Sequence, residues 1–116
     1  MPVGGCGGLY VFAVTLMCGC GGRLSEFDAE GKLVWQVTNE DLQGPEKIDI
    51  ITGISRLKNG NTIAGNYTGN DANPDILEIS PAKKVVWSLN LKGVTHVAMA
   101  QLLNAGLKPS DEVLAR

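Results

Sequence analysis

The ten residues Glu26-Phe27-Asp28-Ala29-Glu30-Gly31-Lys32-Leu33-Val34-Trp35 return as Glu78-Ile79-Ser80-Pro81-Ala82-Lys83-Lys84-Val85-Val86-Trp87, with an offset of 52 positions between each pair. Both tryptophans of the chain stand at the same place in this phrase. Self-similarity at a period of about 20–50 residues belongs to architectures in which each supersecondary unit leaves an apolar face that only a neighbouring unit can cover. That requirement limits the folds open to this chain more than its composition does.

Within the phrase, strand alternation sends Leu33, Trp35 and Val37 to one face and Val34 and Gln36 to the other. Val85, Trp87 and Leu89 share a face in the second copy, with Val86 and Ser88 opposite. The apolar residue on the second face, Val34 or Val86, predicts a strand packed on both sides. Between the two strands of the first copy, Ala29-Glu30-Gly31-Lys32 reads as a turn in which glycine takes a positive φ at little steric cost. The second copy has Ser80 for Asp28 and Lys83 for Gly31, so a differently built turn is expected there, with Pro81 fixing φ.

The rest of the chain fills in around these pairs. Asn59-Gly60 between apolar runs predicts a type I′ hairpin joining a strand over Ile48 to Leu57 to one over Thr62 to Tyr67. Asp75 to Ser80 and Lys84 to Asn90 pair around the next turn and complete four strands. A shift of 52 places Thr62 to Asn66 on Tyr10 to Val14, so Leu9 to Thr15 reads as a strand of the first unit and Cys18 to Gly22 as the turn after it. Thr38 to Lys47 and Thr68 to Pro74 read as loops. The organisation expected is a flexible lead over residues 1–8, repeats over 9–107 and a tail over 108–116. Within the repeats, the units cover 9–38 and 48–90, and a third begins over 95–106, where Ala100 to Gly106 echoes Ser55 to Gly60.

Composition removes several functions. Apolar residues make up 44% and charged ones 19%, an ordinary globular balance that permits a packed core. The net charge is −2 and the 10 basic residues are scattered apart from Lys83-Lys84, so no basic stripe is present and nucleic acid is not an expected partner. The apolar run from Leu9 to Met17 is shorter than the about 20 residues a membrane-spanning helix takes, and no basic residue precedes Arg23 to make the charged start of a signal peptide. Cys6, Cys18 and Cys20 cannot all pair within one chain, being odd in number. Cys18-Gly19-Cys20 has no second cysteine or histidine pair downstream to complete a tetrahedral metal site, so no metal is expected.

The phrase Phe27-Asp28-Ala29-Glu30-Gly31-Lys32-Leu33-Val34-Trp35 resembles the repeat of the quinoprotein-like, or pyrroloquinoline-quinone-like, β-propellers, in which an aspartate, a glycine-lysine turn and a tryptophan recur in each blade. Arg56-Leu57-Lys58-Asn59-Gly60-Asn61-Thr62-Ile63 is similar to the hairpin phrase of the arylsulfotransferase-like branch. The resemblance covers about residues 9 to 104. It implies an all-β fold of antiparallel four-stranded blades, incomplete at about two blades where a propeller takes about four to eight. Open blade edges imply self-association with other chains. A periplasmic or secreted location is implied by the resemblance alone.

Such blades serve enzymes and plain binding domains alike, so activity must be sought in side chains. His96, the one histidine, is the catalytic candidate, because histidines facing the central channel carry sulfuryl transfer in the arylsulfotransferase-like propellers. A second histidine to share the work of nucleophile and acid or base is missing. Trp35 and Trp87 repeat at one position, which favours blade packing over a cofactor platform, with a backbone carbonyl receiving each buried indole N–H. Asn70, Asp71, Asn73 and Asp75 gather oxygen ligands but do not follow the calcium-loop pattern, and read as a polar connection. No phosphate loop lies between a strand and a helix. The expectation is a binding or scaffold module with no cofactor and no complete catalytic site. Its alternatives are a fragment of an arylsulfotransferase-like or quinone-dependent enzyme, and a truncated product without function.

Overall fold

The computed structural model describes residues 9–12, 15–19, 21–68, 72–91, 93 and 105–106, of which those up to residue 18 are described by backbone alone. The expected lead over 1–8, the third repeat over 95–106 apart from Ala105 and Gly106, and the tail over 108–116 lie outside the described residues. Eight strands form: β1 Leu9–Phe12, β2 Thr15–Gly19, β3 Arg23–Phe27, β4 Leu33–Thr38, β5 Ile50–Arg56, β6 Thr62–Tyr67, β7 Ile76–Ile79 and β8 Val85–Leu89. They make two four-stranded antiparallel sheets, each running in chain order, β1-β2-β3-β4 and β5-β6-β7-β8. The all-β, antiparallel character expected from the sequence is therefore present, with no helix among the described residues.

Each sheet is a meander, and three of the turns that join its strands are the same structure. In each, the first residue donates its N–H to a carbonyl four residues on and accepts from the N–H three residues on: Asp28 with Lys32 and Gly31, Leu57 with Asn61 and Gly60, Ser80 with Lys84 and Lys83. The fourth residue takes the left-handed conformation every time, at φ 82° for Gly31, 92° for Gly60 and 66° for Lys83. This is a type I turn followed by a left-handed residue, the three-residue hairpin loop. Two expectations are corrected by it. Asn59-Gly60 does not form a type I′ turn, because only Gly60 has a positive φ and Asn59 instead uses its side-chain oxygen to receive the Asn61 N–H at 2.9 Å. The β7–β8 turn is not built differently from the β3–β4 turn. Ser80 Oγ receives the Lys84 N–H at 3.3 Å, as Asp28 Oδ1 receives the Lys32 N–H at 2.9 Å, and Lys83 adopts the conformation of Gly31.

The pairing also corrects the offset of the early strands. Glu26 opposes Trp35 and Glu78 opposes Trp87, so β3–β4 and β7–β8 keep the offset of 52. Cys18 opposes Ser25 as Ala64 opposes Leu77, which makes β2 the counterpart of β6 at an offset of 46. The longer connection between β6 and β7 absorbs the difference, and the single strand expected over Leu9 to Thr15 is a hairpin of β1 and β2.

A bulge breaks the alternation at the same place in both copies, between Glu26 and Phe27 and between Glu78 and Ile79. The additional residues are Val34 and Val86, exposed at 51% and 53%, so neither is packed by a second neighbour as expected. Bulges of this kind put two residues opposite one and increase local twist. Leu33 and Trp35 consequently do not share one face.

The core lies between the sheets. Leu24 and Val37 come from the first, Ile51, Ile54, Ala64, Leu77 and Ile79 from the second, and Leu42 and Ile48 from the connection between them. The approach is closest at Gly19, where a Cβ would come within 2.3 Å of the Ile51 Cβ. No side chain fits there. The left-handed turn residues provide a test: Gly31→Ala is expected to lower stability by about 1 kcal/mol. Its Cβ would meet nothing within 4 Å, so the cost is that of the backbone alone. Lys83→Gly is expected to raise stability by a similar amount. Urea unfolding followed by circular dichroism reads both, and two unchanged midpoints would contradict the shared turn.

Candidate functional site

The polar residues of the repeat phrase converge where the two sheets meet. Glu26 on β3 and Trp35 on β4 are direct neighbours across the ladder, on the face turned to the second sheet. Arg56 at the end of β5 reaches across to Glu26 Oε1 at 2.9 Å, with side chains only 16% and 10% exposed. Its guanidinium also lies 5.8 Å from the centre of the Trp35 ring and donates Nε–H to Thr62 Oγ1 at 3.1 Å. Trp35 Nε1–H in turn donates to the Pro81 carbonyl in the β7–β8 turn at 3.0 Å. The expected carbonyl acceptor is thus found for Trp35. The guanidinium is tied to a carboxylate, a hydroxyl and an aromatic face at once, an arrangement that holds two sheets in register.

Trp87 stands otherwise. With Ile63, Glu78 and Val86 it lines a shallow depression on the far side of the second sheet, and it is 48% exposed. The core role expected for both tryptophans holds for one of them within the described residues. Glu78, the counterpart of Glu26, receives a hydrogen bond from Asn61 Nδ2 at 2.7 Å.

The oxygen-rich connection is structural where it is described. Asn70 and Asp71 lie outside the described residues. Asp75 is buried, and its carboxylate receives the Leu91 N–H at 2.7 Å. Its neighbour Asn66, fully buried, accepts from the Asp49 N–H at 2.7 Å and donates to the carbonyls of Lys47 and Pro74 at 3.0 and 2.9 Å. Asn39 ties the β4–β5 connection to the first sheet through both backbone groups of Ile48 at 2.7 and 2.9 Å. No group of three metal-ligating side chains occurs among the described residues. His96 lies outside them, as do Cys6 and Cys20.

A cleft of about 300 Å³ runs between the connection at Asp41 to Glu46 and the β7–β8 turn at Ala82 to Val85, bringing Asp41 and Glu46 opposite Lys83 and Lys84. Asp41 is held below the usual aspartate range by the hydrogen bond it accepts from the Thr38 N–H at 2.8 Å, an effect opposed by partial desolvation and aided by the charge of Lys83. These residues give a mixed-charge lining with no nucleophile paired to a base.

No family model and no curated protein matches the chain. Among solved structures it is similar to a protein of unknown function from Bacteroides caccae, with 25% identity and a TM-score of 0.59 over 74% of this chain. The match covers 36% of that chain, which is therefore about twice as long. The likeness concerns the fold.

Sequence reasoning missed Arg56 and Glu26 as partners, because residues 30 apart on different sheets leave no local pattern. It also missed Asn39 and Asn66, whose only signal was a polar residue at the end of an apolar strand. Asn66→Ala is expected to cost about 3 kcal/mol, since it leaves the buried Pro74 carbonyl and the half-buried Lys47 carbonyl and Asp49 N–H without their partner. For Asp41→Ala the loss is pH-dependent. A lowered folded pKa gives stability that is present above the ordinary aspartate value of about 4 and is lost as pH falls through the folded value. The difference in urea midpoint between wild type and variant should therefore shrink from pH 7 towards pH 2, and a difference constant with pH would exclude the carboxylate as its source.

Proposed function

We propose that the two sheets are consecutive blades of a quinoprotein-like β-propeller and that the chain is a binding or scaffold module without a complete catalytic site of its own. The observation that carries the reading is the sense of stacking. The tryptophan-bearing face of the first sheet is covered by the opposite face of the second, which leaves the second sheet's own tryptophan face directed onward for another blade. A radial repeat requires this relation between every pair of neighbours. The repeated phrase, the repeated bulge and the repeated turn support the same reading.

The binding role rests on where the polar chemistry goes. Glu26, Arg56, Asn39, Asn66 and Asp75 are engaged in holding sheets and connections together, and the cleft between the Asp41 to Glu46 connection and the β7–β8 turn offers opposed charges without an activated nucleophile. A sulfuryl-transfer role would need His96 to act without a partner histidine. Aryl sulfate turnover is therefore expected at the buffer rate for the wild type and for His96→Ala alike. Turnover above background that disappears in His96→Ala would replace this reading with that of a transferase fragment.

A further inference from the structure

The far face of the second sheet carries exposed apolar residues at Ile50, Val86 and Trp87, interrupted by Glu78 and by the buried Ser55. The row Ile63, Glu78 and Trp87 lies across it, and Ile76 with Leu89 and Ile50 with Tyr67 occupy the neighbouring rows on the same side. Ile50 is exposed at 49%, Tyr67 at 39% and Trp87 at 48%. Exposed apolar residues grouped on one sheet face mark an interaction surface. The molecule itself shows what fits it, because the equivalent face of the first sheet is covered by the back of a sheet of the same repeat.

The back of the first sheet provides the matching surface. Ala29 is the counterpart of Pro81, whose carbonyl receives the Trp35 indole, and Ala29 is exposed. Leu33 is the counterpart of Val85, which packs against the core between the sheets, yet Leu33 is exposed at 46%. By strand register, the places of Ile54, Arg56 and Ala64 are taken in the first sheet by Leu9, Val11 and Cys18. The Glu78 face needs no arginine from a covering sheet, since Glu78 already has the Asn61 amide of its own sheet as a partner. Glu26, by contrast, takes its arginine from the covering sheet.

We infer that the Trp87 face of one copy docks on the Ala29 and Leu33 face of a second copy, repeating between chains the stacking that joins the two sheets within a chain. The inference rests on the stacked-repeat reading above. Such a contact is heterologous and either closes into a ring or continues as a filament. A ring of about four to eight sheets takes about two to four copies, counting the two sheets formed by the described residues of each. The similar solved chain, about twice as long as this one, has the length of two copies.

Sedimentation equilibrium on the full chain tests this. The wild type is expected to form one discrete oligomer, while Trp87→Lys and Leu33→Lys, each altering one of the two docking faces, are expected to be monomers with unchanged circular dichroism. An equimolar mixture of the two variants is expected to recover a 1:1 dimer, because one intact pair of faces remains. Should Trp87→Lys fail to fold, Val86→Lys serves in its place, at a residue exposed at 53% beside the same depression. A folded monomeric wild type overturns the docking and leaves the stacking within the chain in place. Association that survives in Leu33→Lys overturns it too, in favour of symmetric pairing of two Trp87 faces, and aggregates of no fixed size overturn it as well.

Discussion

A four-stranded sheet with apolar residues on both faces has no stable existence in water, and this constraint governs the rest of the molecule. Burying apolar surface contributes about 25 cal/mol per Å², so a face of several hundred Å² left in water forgoes an amount comparable with the net stability of a whole domain, about 5–15 kcal/mol. The first sheet meets the constraint by laying Leu24 and Val37 against Ile51, Ile54, Ala64, Leu77 and Ile79. Gly19 lets the two backbones come close enough for that contact to be continuous. The bulges contribute by twisting the outer strands, at the cost of turning Val34 and Val86 out to solvent.

Apolar contact alone would let the sheets slide. The polar junction at Glu26, Arg56 and Trp35 removes that freedom, because the ion pair, the ring contact and the indole hydrogen bond all cross between the sheets. Desolvating a carboxylate and a guanidinium is expensive, and replacing such pairs by apolar residues is often neutral or stabilising. The pair is therefore better understood as fixing the relative position of two surfaces that would otherwise pack in several ways. The Pro81 carbonyl does the same for the Trp35 indole, and it sits in a turn closed by the left-handed Lys83.

The part of the fold that could be read from the sequence is the part held by local geometry. The four later strands, the β3–β4 pair and the turn at Asp28 to Lys32 follow from alternation, from glycine at a positive φ and from the repeat itself. Reading went wrong where local chemistry admits two solutions. Asn59-Gly60 satisfies a type I′ turn, but an asparagine oxygen that can receive the Asn61 N–H favours the longer loop. Lys83 does not look like a left-handed residue, and becomes one because the strand register on either side demands it. The β1–β2 hairpin was hidden by the change of offset from 52 to 46, which an ungapped comparison cannot follow. Of the candidate site, the role of Trp35 was legible, whereas Arg56 was not, since its partner is defined by the stacking of sheets and not by spacing along the chain.

Where sheet faces are taken up by stacking on each other, function varies in what the sheets leave over. In this chain that is the connection from Asn39 to Lys47 and the turns facing it, where a cleft opens between Asp41 and Lys83. Loops carried by a rigid scaffold are where binding residues concentrate, and this connection is unusually well held for a loop. Asn39 binds both backbone groups of Ile48, while the Lys47 ammonium caps the carbonyls of Asn39 and Leu42 at 3.3 and 2.6 Å. Leu42 and Ile48 anchor it in the core between the sheets. A segment fixed at both ends and in the middle presents Asp41, Gln43 and Glu46 in one arrangement, so a ligand meeting them loses little affinity to ordering the protein. The same residues that close the gap between the sheets thus prepare the surface above it, and a change in the stacking would be felt first in that cleft.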